Sequence, residues 1–414
     1  MTSPKASTQS FSFRYFLATI GTSNLAMGLH KVLYPWLVVG VLMESPSRLG
    51  LAQMAVLLPN LLFLLPGGIA SDRRHRGTWL SLLYLVYLLP LGLILASVLT
   101  GELTFTLLLL FGVAFGTISA FVQPARESLL GYAAPEIMHQ TVAKVMVTQF
   151  IAQGIGFWIA GQLDIVSLPQ LLLFQMLIFV ISAVLIRRSH PAPIGGVKPV
   201  GEKKTLKHSW KELGEGLQIF RDDKGLLHLL MIVFATGFLA FGVYLVGMPL
   251  IARELYDGGA GLYATLQIVF SLGIVSANFG VMKRSKMFNR PGRLMVISFL
   301  LRGTLVGIIA TVPSMWILFP VVYVWGFFSG LSMTLGRTIL HNQVSHEVRS
   351  RAASIYQLCL FGGAPLGAWV CGVTVESIGL SSAFVLIAAT SFTVAVLTAL
   401  FSPLWHVRGD ITKA

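Results

Sequence analysis

The sequence predicts an all-α membrane protein with twelve transmembrane helices in two pseudo-symmetric halves of six. Three observations carry this prediction: the composition, a series of apolar runs and an internal repeat. Of the 414 residues, 55% are hydrophobic and 11% are charged, and the mean hydropathy is +0.79. A soluble globular chain carries about 25% charged residues. Apolar runs of about 20 residues, long enough to cross a bilayer, recur along the whole chain.

The apolar runs of the first half predict its helices in order, because short polar segments separate them. These helices lie at about 14–42, 48–70, 78–99, 103–124, 139–163 and 168–187. The second ends at the charged turn GGIASDRRHRG, and the fourth ends at QPARE. In the second half, the runs predict helices at about 226–250, 259–281, 292–312, 314–336, 350–376 and 379–402.

A polar linker at 188–224 divides the chain into a first half, 1–187, and a second half, 225–414. The linker is rich in Lys, Arg, Gly and Pro and begins with HPAPIGGVKPVGEKK. Its second part has apolar residues near helical spacing: Trp210, Leu213, Leu217 and Phe220. This pattern predicts a short amphipathic helix at the inner face of the membrane.

The net charge of +14 follows the predicted topology. All but four of the 30 Lys and Arg residues fall in segments on one side, which the positive-inside rule identifies as cytoplasmic. Arg48 and Arg253 fall outside, and Lys31 and Arg302 fall within helices. We therefore expect both termini in the cytoplasm, the plasma membrane as the location, and no nucleic-acid partner.

An internal repeat relates the two halves by a shift of 211 residues. Under this shift Gly50 aligns with Gly261, Arg73 with Arg284, Arg126 with Arg337, and Gly156 with Gly367. A duplicated six-helix unit is the plan of secondary transporters whose binding site lies between the halves. Asp72 breaks the symmetry, since Lys283 occupies its matching position. We therefore expect a specific role for Asp72.

The turn between helices 2 and 3 has the spacing G-x-x-x-D-R-x-x-R, formed by Gly68, Asp72, Arg73 and Arg76. This segment resembles the signature of the major facilitator superfamily, and the resemblance extends over nearly the whole chain. His75 stands where that family usually has glycine. The stretches PWLV, FVQPARESLL, SWKELGEGLQIF and VGMPLIARELYDGGAGLYATLQ are similar to the enterobactin-exporter-like and macrolide-efflux-like subset. The resemblance implies a transporter that works by alternating access.

A gate at the cytoplasmic side is the first functional feature that these residues predict. We expect the Asp72 turn to pair with Arg126 at the inner end of helix 4, and Arg337 to occupy the matching place in the second half. Such a pair would hold the cytoplasmic side shut and break during inward opening. The alternative is that these arginines only anchor their helices at the interface.

Polar side chains at membrane depth predict a substrate cavity, because they are costly unless they face water or a partner. Lys31 and Arg302 are the two cations at depth, with snorkelling as the alternative. His30 could titrate near neutral pH or be a packed core residue. The remaining candidates are amides and one aromatic: Asn24, Gln53, Asn60, Gln149, Gln153, Tyr244, Gln267 and Gln357. Such a lining suits an amphipathic organic molecule.

Asp164, Glu254 and Glu376 lie near the outer ends of helices and are the candidate proton acceptors. A phosphate-binding lysine loop, a Cys/His cluster with metal spacing and a nucleophile–base motif are absent from the sequence. We expect no enzymatic activity, no cofactor and no metal.

Proton-coupled export of an amphipathic, drug- or siderophore-like compound by a monomer is the first functional interpretation. Import of a metabolite, movement of a lysolipid, and a membrane receptor that does not transport remain open alternatives.

Overall fold

The computed structural model describes residues 12–72, 74–130, 138–189, 214, 216–221, 223–283, 290–345 and 348–406. All regular secondary structure in these ranges is helical. The first six long helices are α1 Phe13–Trp36, α2 Pro46–Asp72, α3 Arg76–Thr100, α4 Phe105–Leu130, α5 Met138–Ala160 and α6 Leu168–Ser189. The next six are α7 Lys224–Leu255, α8 Ala260–Lys283, α9 Pro291–Ala310, α10 Met315–Gln343, α11 Arg349–Ile378 and α12 Leu380–Phe401.

Within the described ranges, eleven of these helices have the length and hydropathy of a membrane span. The twelfth, α1, is 24 residues long but carries Asn24, His30 and Lys31. Most of its residues beyond Thr19 are buried against other helices. A helix surrounded by protein needs less hydropathy than one surrounded by lipid. The predicted all-α membrane fold with twelve long helices is therefore confirmed.

Several helices extend past the ends that the apolar runs predict. α4 continues to Leu130, where the run ends at 124, and α10 continues to Gln343, where the run ends at 336. Pro124 lies inside α4, and membrane helices tolerate proline where neighbours satisfy the freed backbone groups. An apolar run marks the hydrocarbon layer, whereas backbone hydrogen bonds continue into the polar region beyond it.

The two sets of six helices repeat the same pairings. α1 packs on α5, α2 on α4 and α3 on α6, and α7 packs on α11, α8 on α10 and α9 on α12. The aligned glycines occupy equivalent positions: a Cβ on Gly156 would meet the Leu25 carbonyl of α1, and one on Gly367 would meet the Phe238 carbonyl of α7. The two sets contact each other through α2–α11 and α5–α8. The fold is therefore two pseudo-symmetric six-helix halves.

Part of the predicted amphipathic helix falls within the described residues, and 216–221 are helical. Phe220 is completely buried in an apolar cluster with Leu226 and Tyr356 of the second half, whereas Leu217 is exposed. Trp210 and Leu213 lie outside the described residues. The described part of this helix therefore packs on the second half through Phe220.

Candidate transport site

The bundle has two ends that differ in how tightly the halves meet. We call the end at Ser189 and Lys224 the linker end and the opposite end, at Val41 and Pro46, the distal end. One apolar cluster spans both halves and reaches the distal end, where it includes Trp36 and Val375. The distance between the two halves therefore has to be described separately for each end.

At the distal end, backbones of the two halves approach within van der Waals contact. A Cβ on Gly50 of α2 would meet the Ala368 carbonyl of α11, and one on Gly372 would meet the Pro46 carbonyl. On the other side of the bundle, a Cβ on Gly161 would meet the Ala264 side chain of α8. Both contacts between the halves are therefore closed at this end.

Towards the linker end, the same helices separate. Gly362 of α11 is 3.7 Å, measured from its Cβ position, from the Leu61 side chain of α2. Gly68 lies two turns further along the same face of α2 as Leu61, and no heavy atom of another helix lies within 4 Å of its Cβ position. The space between the halves is therefore closed at the distal end and widens towards the linker end.

Arg253 is the main polar link across the distal end. Its Nη1 donates to the Val39 carbonyl at 2.7 Å and to the Glu44 carbonyl at 3.4 Å. Its Nη2 pairs with Glu254 at 2.5 Å. Arg253 lies in a π-helical turn of α7, Ile251–Leu255, and Val39 lies in the π-helical turn Leu37–Val41 that ends α1.

A second polar link runs through Gln267, which the sequence singled out, and Tyr263, which it did not. Gln267 Nε2 donates to Tyr263 Oη at 2.9 Å, and Tyr263 Oη donates to the Lys31 carbonyl at 3.1 Å. The four-residue spacing places Tyr263 and Gln267 on one face of α8. That spacing is the signal that could have added Tyr263 to the candidates.

The three candidate proton acceptors all lie where the halves meet at the distal end. A Cβ on Gly259 of the second half would meet the Asp164 carboxylate of the first half. Glu376 of α11 accepts a hydrogen bond from the Ser47 backbone N–H at 2.9 Å. Glu254 holds Arg253. The structure thus places each acid beside a contact between the halves.

Lys31 is the only exposed residue of α1 between Thr19 and Gly40. A lipid-facing stripe would expose neighbours at three- and four-residue spacing, but Met27 is half-buried and Tyr34 and Pro35 are buried. The Lys31 side chain therefore faces the space between the halves and not lipid.

His30, the neighbour of Lys31, is a packed core residue. The residue is 7% exposed, and its ring stacks on Phe115 with the ring centroids 3.6 Å apart. Tyr34 and Phe111 complete the aromatic cluster around it. This packing favours a core residue over a side chain that titrates near neutral pH.

The amide candidates divide by burial. Asn24 is buried and donates to the Ile20 carbonyl of its own helix at 2.8 Å. Gln53, Gln153 and Gln267 are also buried. Four candidates keep a half-buried surface at membrane depth: Asn60, Gln149, Tyr244 and Gln357. The Tyr244 ring contacts the Phe270 ring in a tilted arrangement with the centroids 4.7 Å apart, and Phe270 contacts Trp325 edge-on.

Arg302 is a buried cation inside the second half. Its Nη2 donates to Thr236 Oγ1 of α7 at 3.2 Å and to Ser332 Oγ of α10 at 3.5 Å, and its Nε donates to the Ser298 carbonyl. The guanidinium lies over the Phe299 ring, 5.2 Å from its centroid, and lines a small cavity between α7, α9, α10 and α12. Three helices are therefore joined by this one side chain.

The predicted gate residues are only partly described. Gly68 lies one turn before the end of α2, Asp72 ends that helix, and Arg76 begins α3. Arg73 and the side chain of Asp72 lie outside the described residues. Arg126 is half-buried in α4, and Arg337 is exposed in α10. The pairing of Asp72 with Arg126 thus remains a prediction.

His75, the unexpected residue of this turn, is the N-cap of α3. Its Nδ1 accepts a hydrogen bond from the Thr78 backbone N–H at 3.3 Å. Burial lowers the pKa of His75 below its ordinary value, so the neutral ring that can accept this bond is favoured.

Comparison with known proteins supports the fold. No curated protein sequence matches the chain. The nucleoside transporter NupG superimposes with a TM-score of 0.73 at 11% identity, covering 93% of this chain and 97% of that one. A bacterial homologue of the human lysosomal transporter Spinster, inward-facing and unoccupied, gives 0.67 at 14% identity, covering 98% and 97%. The human organic anion transporter MFSD10 gives 0.65 at 13% identity, covering 93% and 98%.

These identities establish a shared fold and nothing finer. A family model described as transmembrane secretion effector matches residues 2–412, which is nearly the whole chain. The match agrees with the signature turn, the internal repeat and the twelve-helix architecture. The chain is therefore a multi-pass membrane transporter of the major facilitator superfamily, and it belongs to the transmembrane secretion effector family.

Proposed function

We propose that this protein exports an amphipathic organic compound by alternating access, in exchange for protons. The observation that carries the proposal is the asymmetry of the space between the halves, which is closed at the distal end and wide at the linker end. Alternating access needs this arrangement and its mirror image, with a site exposed to one side at a time.

The linker end is cytoplasmic in this proposal, because nearly all Lys and Arg residues outside the helices fall on that side. The moving bodies are 1–187 and 225–414, joined by the linker 188–224, and the protein works as a monomer in the plasma membrane. The burial of Phe220 in the second half supports a linker helix that moves with that half.

Outward transport is supported by the description of the family as secretion effectors. Proton coupling is supported by the positions of Asp164, Glu254 and Glu376 at the distal contacts. In an outward-open state these carboxylates would be exposed to the outside and could take up protons. A neutral carboxyl at Glu376 or Glu254 would hold its partner less strongly, so protonation would change the balance between the two states.

The gate at the cytoplasmic side completes the cycle. We expect Asp72 and Arg126 to pair when the linker end closes, with Arg337 serving the second half. An ion pair there contributes about 0–1 kcal/mol if water reaches it and more when it is desolvated. Asp72→Asn should therefore slow transport without unfolding the protein.

Disulfide cross-linking in membranes tests alternating access without a known substrate. The chain is first freed of Cys359 and Cys371. Ser47→Cys with Glu376→Cys then reports closure of the distal end, since these residues are in contact there. Gly68→Cys with Ser354→Cys reports closure of the linker end. A transporter should form both cross-links, whereas a receptor locked in one state would form only the distal one.

Flux into inside-out vesicles tests direction and coupling. Dyes, macrolides and siderophores are offered with the proton gradient imposed and then collapsed. We expect gradient-dependent accumulation of at least one compound by the unmodified protein. Accumulation only in right-side-out vesicles would instead establish import.

A further inference from the structure

Two cations of the first half, Lys31 and Arg126, have no acidic partner among the described residues. The exposed side chain of Lys31 forms no hydrogen bond or ion pair with any described residue. The hydrogen bond from Tyr263 goes to the backbone carbonyl of Lys31. The same holds for the half-buried guanidinium of Arg126, which has no hydrogen-bond or ion-pair partner within the described ranges. A cation at membrane depth is costly without a partner or water.

The geometry of α1 and α4 directs these side chains towards each other. The two helices are antiparallel, and His30 stacks on Phe115, which sets their register. Arg126 lies eleven residues beyond Phe115, roughly 16 Å nearer the linker end at 1.5 Å per residue. Helical side chains lean towards the N-terminus of their own helix, so Lys31 leans towards the linker end and Arg126 towards the distal end.

This lean brings the Lys31 ammonium and the Arg126 guanidinium closer together than the Cα atoms of the two residues. The Tyr87 hydroxyl is hydrogen-bonded to Ser119 at 2.7 Å, two turns closer to the distal end than Arg126. Eleven residues are about three helical turns, so Arg126 lies on the face of α4 that carries Phe115 and faces α1.

In the proposed cycle Asp72 pairs with Arg126 only when the linker end closes, and few other acidic residues could balance the charge of these two cations. In the described helices, Glu127 is the acid nearest in sequence to Arg126, but its side chain is exposed and accepts a hydrogen bond from Gln123. Asp164, Glu254 and Glu376 belong to the distal contacts. An amphipathic substrate that carried its own negative charge would supply the missing partner.

We propose that Lys31 and Arg126 together bind the acidic group of the transported compound, so that the substrate class is an amphipathic organic anion such as a carboxylate or a phosphate ester. This inference rests on the proposed function and narrows it. Lys31 would contact the acidic group from the distal side and Arg126 from the linker side. The half-buried aromatic and amide residues would contact the apolar part of the compound.

The anion site is tested by binding of a charged and a neutral analogue. Dansyl-labelled undecanoate and its primary amide have the same tail and differ only in charge. The full chain is held in nanodiscs, energy transfer from tryptophan to dansyl is recorded, and empty nanodiscs provide the background. We expect the carboxylate to bind about tenfold or more tightly than the amide.

Variants assign the preference to the two residues. Lys31→Gln and Arg126→Gln should each remove most of the difference between the carboxylate and the amide, and Lys31→Arg should keep it. Arg188→Gln removes one positive charge from an exposed position at the end of α6 and should leave the preference unchanged. A carboxylate that binds no better than the amide, or a preference that survives both Gln variants, overturns the inference.

A second measurement is independent of any ligand tail. Met27→Cys places a thiol one turn below Lys31 in a background without native cysteines. The thiol should react faster with an anionic than with a cationic methanethiosulfonate, relative to a free thiol, and Lys31→Gln should reduce this ratio. An unchanged ratio contradicts a positive cavity. The cross-linking test of alternating access contains no ligand, so the anion site and the transport cycle can fail separately.

Discussion

The Arg253 guanidinium donates to the Val39 carbonyl at 2.7 Å, and this bond joins residues 214 positions apart in the two halves. Val39 lies in the π-helical turn Leu37–Val41 that continues α1 to its end, where backbone carbonyls have no partner within the helix. A cation at a helix C-terminus also interacts favourably with the helix dipole. Arg253 therefore caps α1 from the opposite half, and the cap exists only while the distal end is closed.

Arg253→Gln should loosen the distal end. Loss of a partly buried cation at a helix C-terminus costs about 1–2 kcal/mol, which corresponds to roughly a five- to thirtyfold larger open population. The measurement is the rate at which a membrane-impermeant maleimide labels Ala264→Cys from the distal side. Ala264 is buried against Gly161, so labelling requires opening.

Arg48→Gln is the matched control for this variant. Arg48 pairs with Glu44 four residues away, within the same half, and its side chain is 54% exposed. Its removal should leave the labelling rate of Ala264→Cys unchanged. Equal rates for Arg253→Gln and the unmodified protein would show that the cap does not hold the distal end closed.

Arg302→Gln should lower the thermal stability of the second half. The substitution removes hydrogen bonds that join α9 to α7 and α10, and hydrogen bonds to charged groups contribute about 1.5–3 kcal/mol. The measurement is the unfolding temperature of the purified protein in one detergent. Lys31→Gln, which removes an exposed cation, should change stability by less than about 0.5 kcal/mol. A similar loss in both variants would argue against a structural role specific to Arg302.

Gly156→Ala should destabilise the α1–α5 contact. The added methyl group would meet the Leu25 carbonyl, which is backbone and cannot rotate away, and overpacking costs about 1–3 kcal/mol. Gly154→Ala is the control, because no heavy atom lies within 4 Å of its Cβ position. We expect a lower unfolding temperature and less protein in the membrane for Gly156→Ala alone. If both alanine variants unfold at the same temperature, the close approach is not required.

The helices were predictable because a bilayer fixes the length of an apolar run. The pairing of helices was predictable from the repeat, since Gly156 and Gly367 needed the same small-residue environment. The Arg253 cap could not be predicted from the sequence, because its acceptor is a backbone carbonyl and every residue has one. Lys31 and Arg302 were equivalent in the sequence, and only packing distinguishes the exposed cation from the buried one.

The N-cap at His75 leads us to expect that the stability of the folded protein depends on pH. The neutral Nδ1 of His75 accepts the Thr78 N–H bond that caps α3, and protonation would replace the acceptor with a donor next to the positive end of the helix. Burial lowers the pKa of His75 from its ordinary value of 6.5. The folded protein therefore binds this proton less readily than the unfolded chain, and the stability from the cap is complete above pH 6.5 and is lost as pH falls through the lowered pKa.

His75→Asn isolates this effect, because asparagine is an N-cap of comparable strength that does not titrate. The unfolding temperatures of both proteins are measured between about pH 5 and 8, the range in which histidine charge changes. We expect equal stability at the upper end and a loss in the unmodified protein, relative to His75→Asn, at the lower end. His75→Ala removes the cap at every pH and should cost about 0.5–2 kcal/mol. The other titrating groups cancel in this comparison, because both proteins share them. Parallel curves of unfolding temperature against pH for the unmodified protein and His75→Asn would therefore mean that the cap does not titrate.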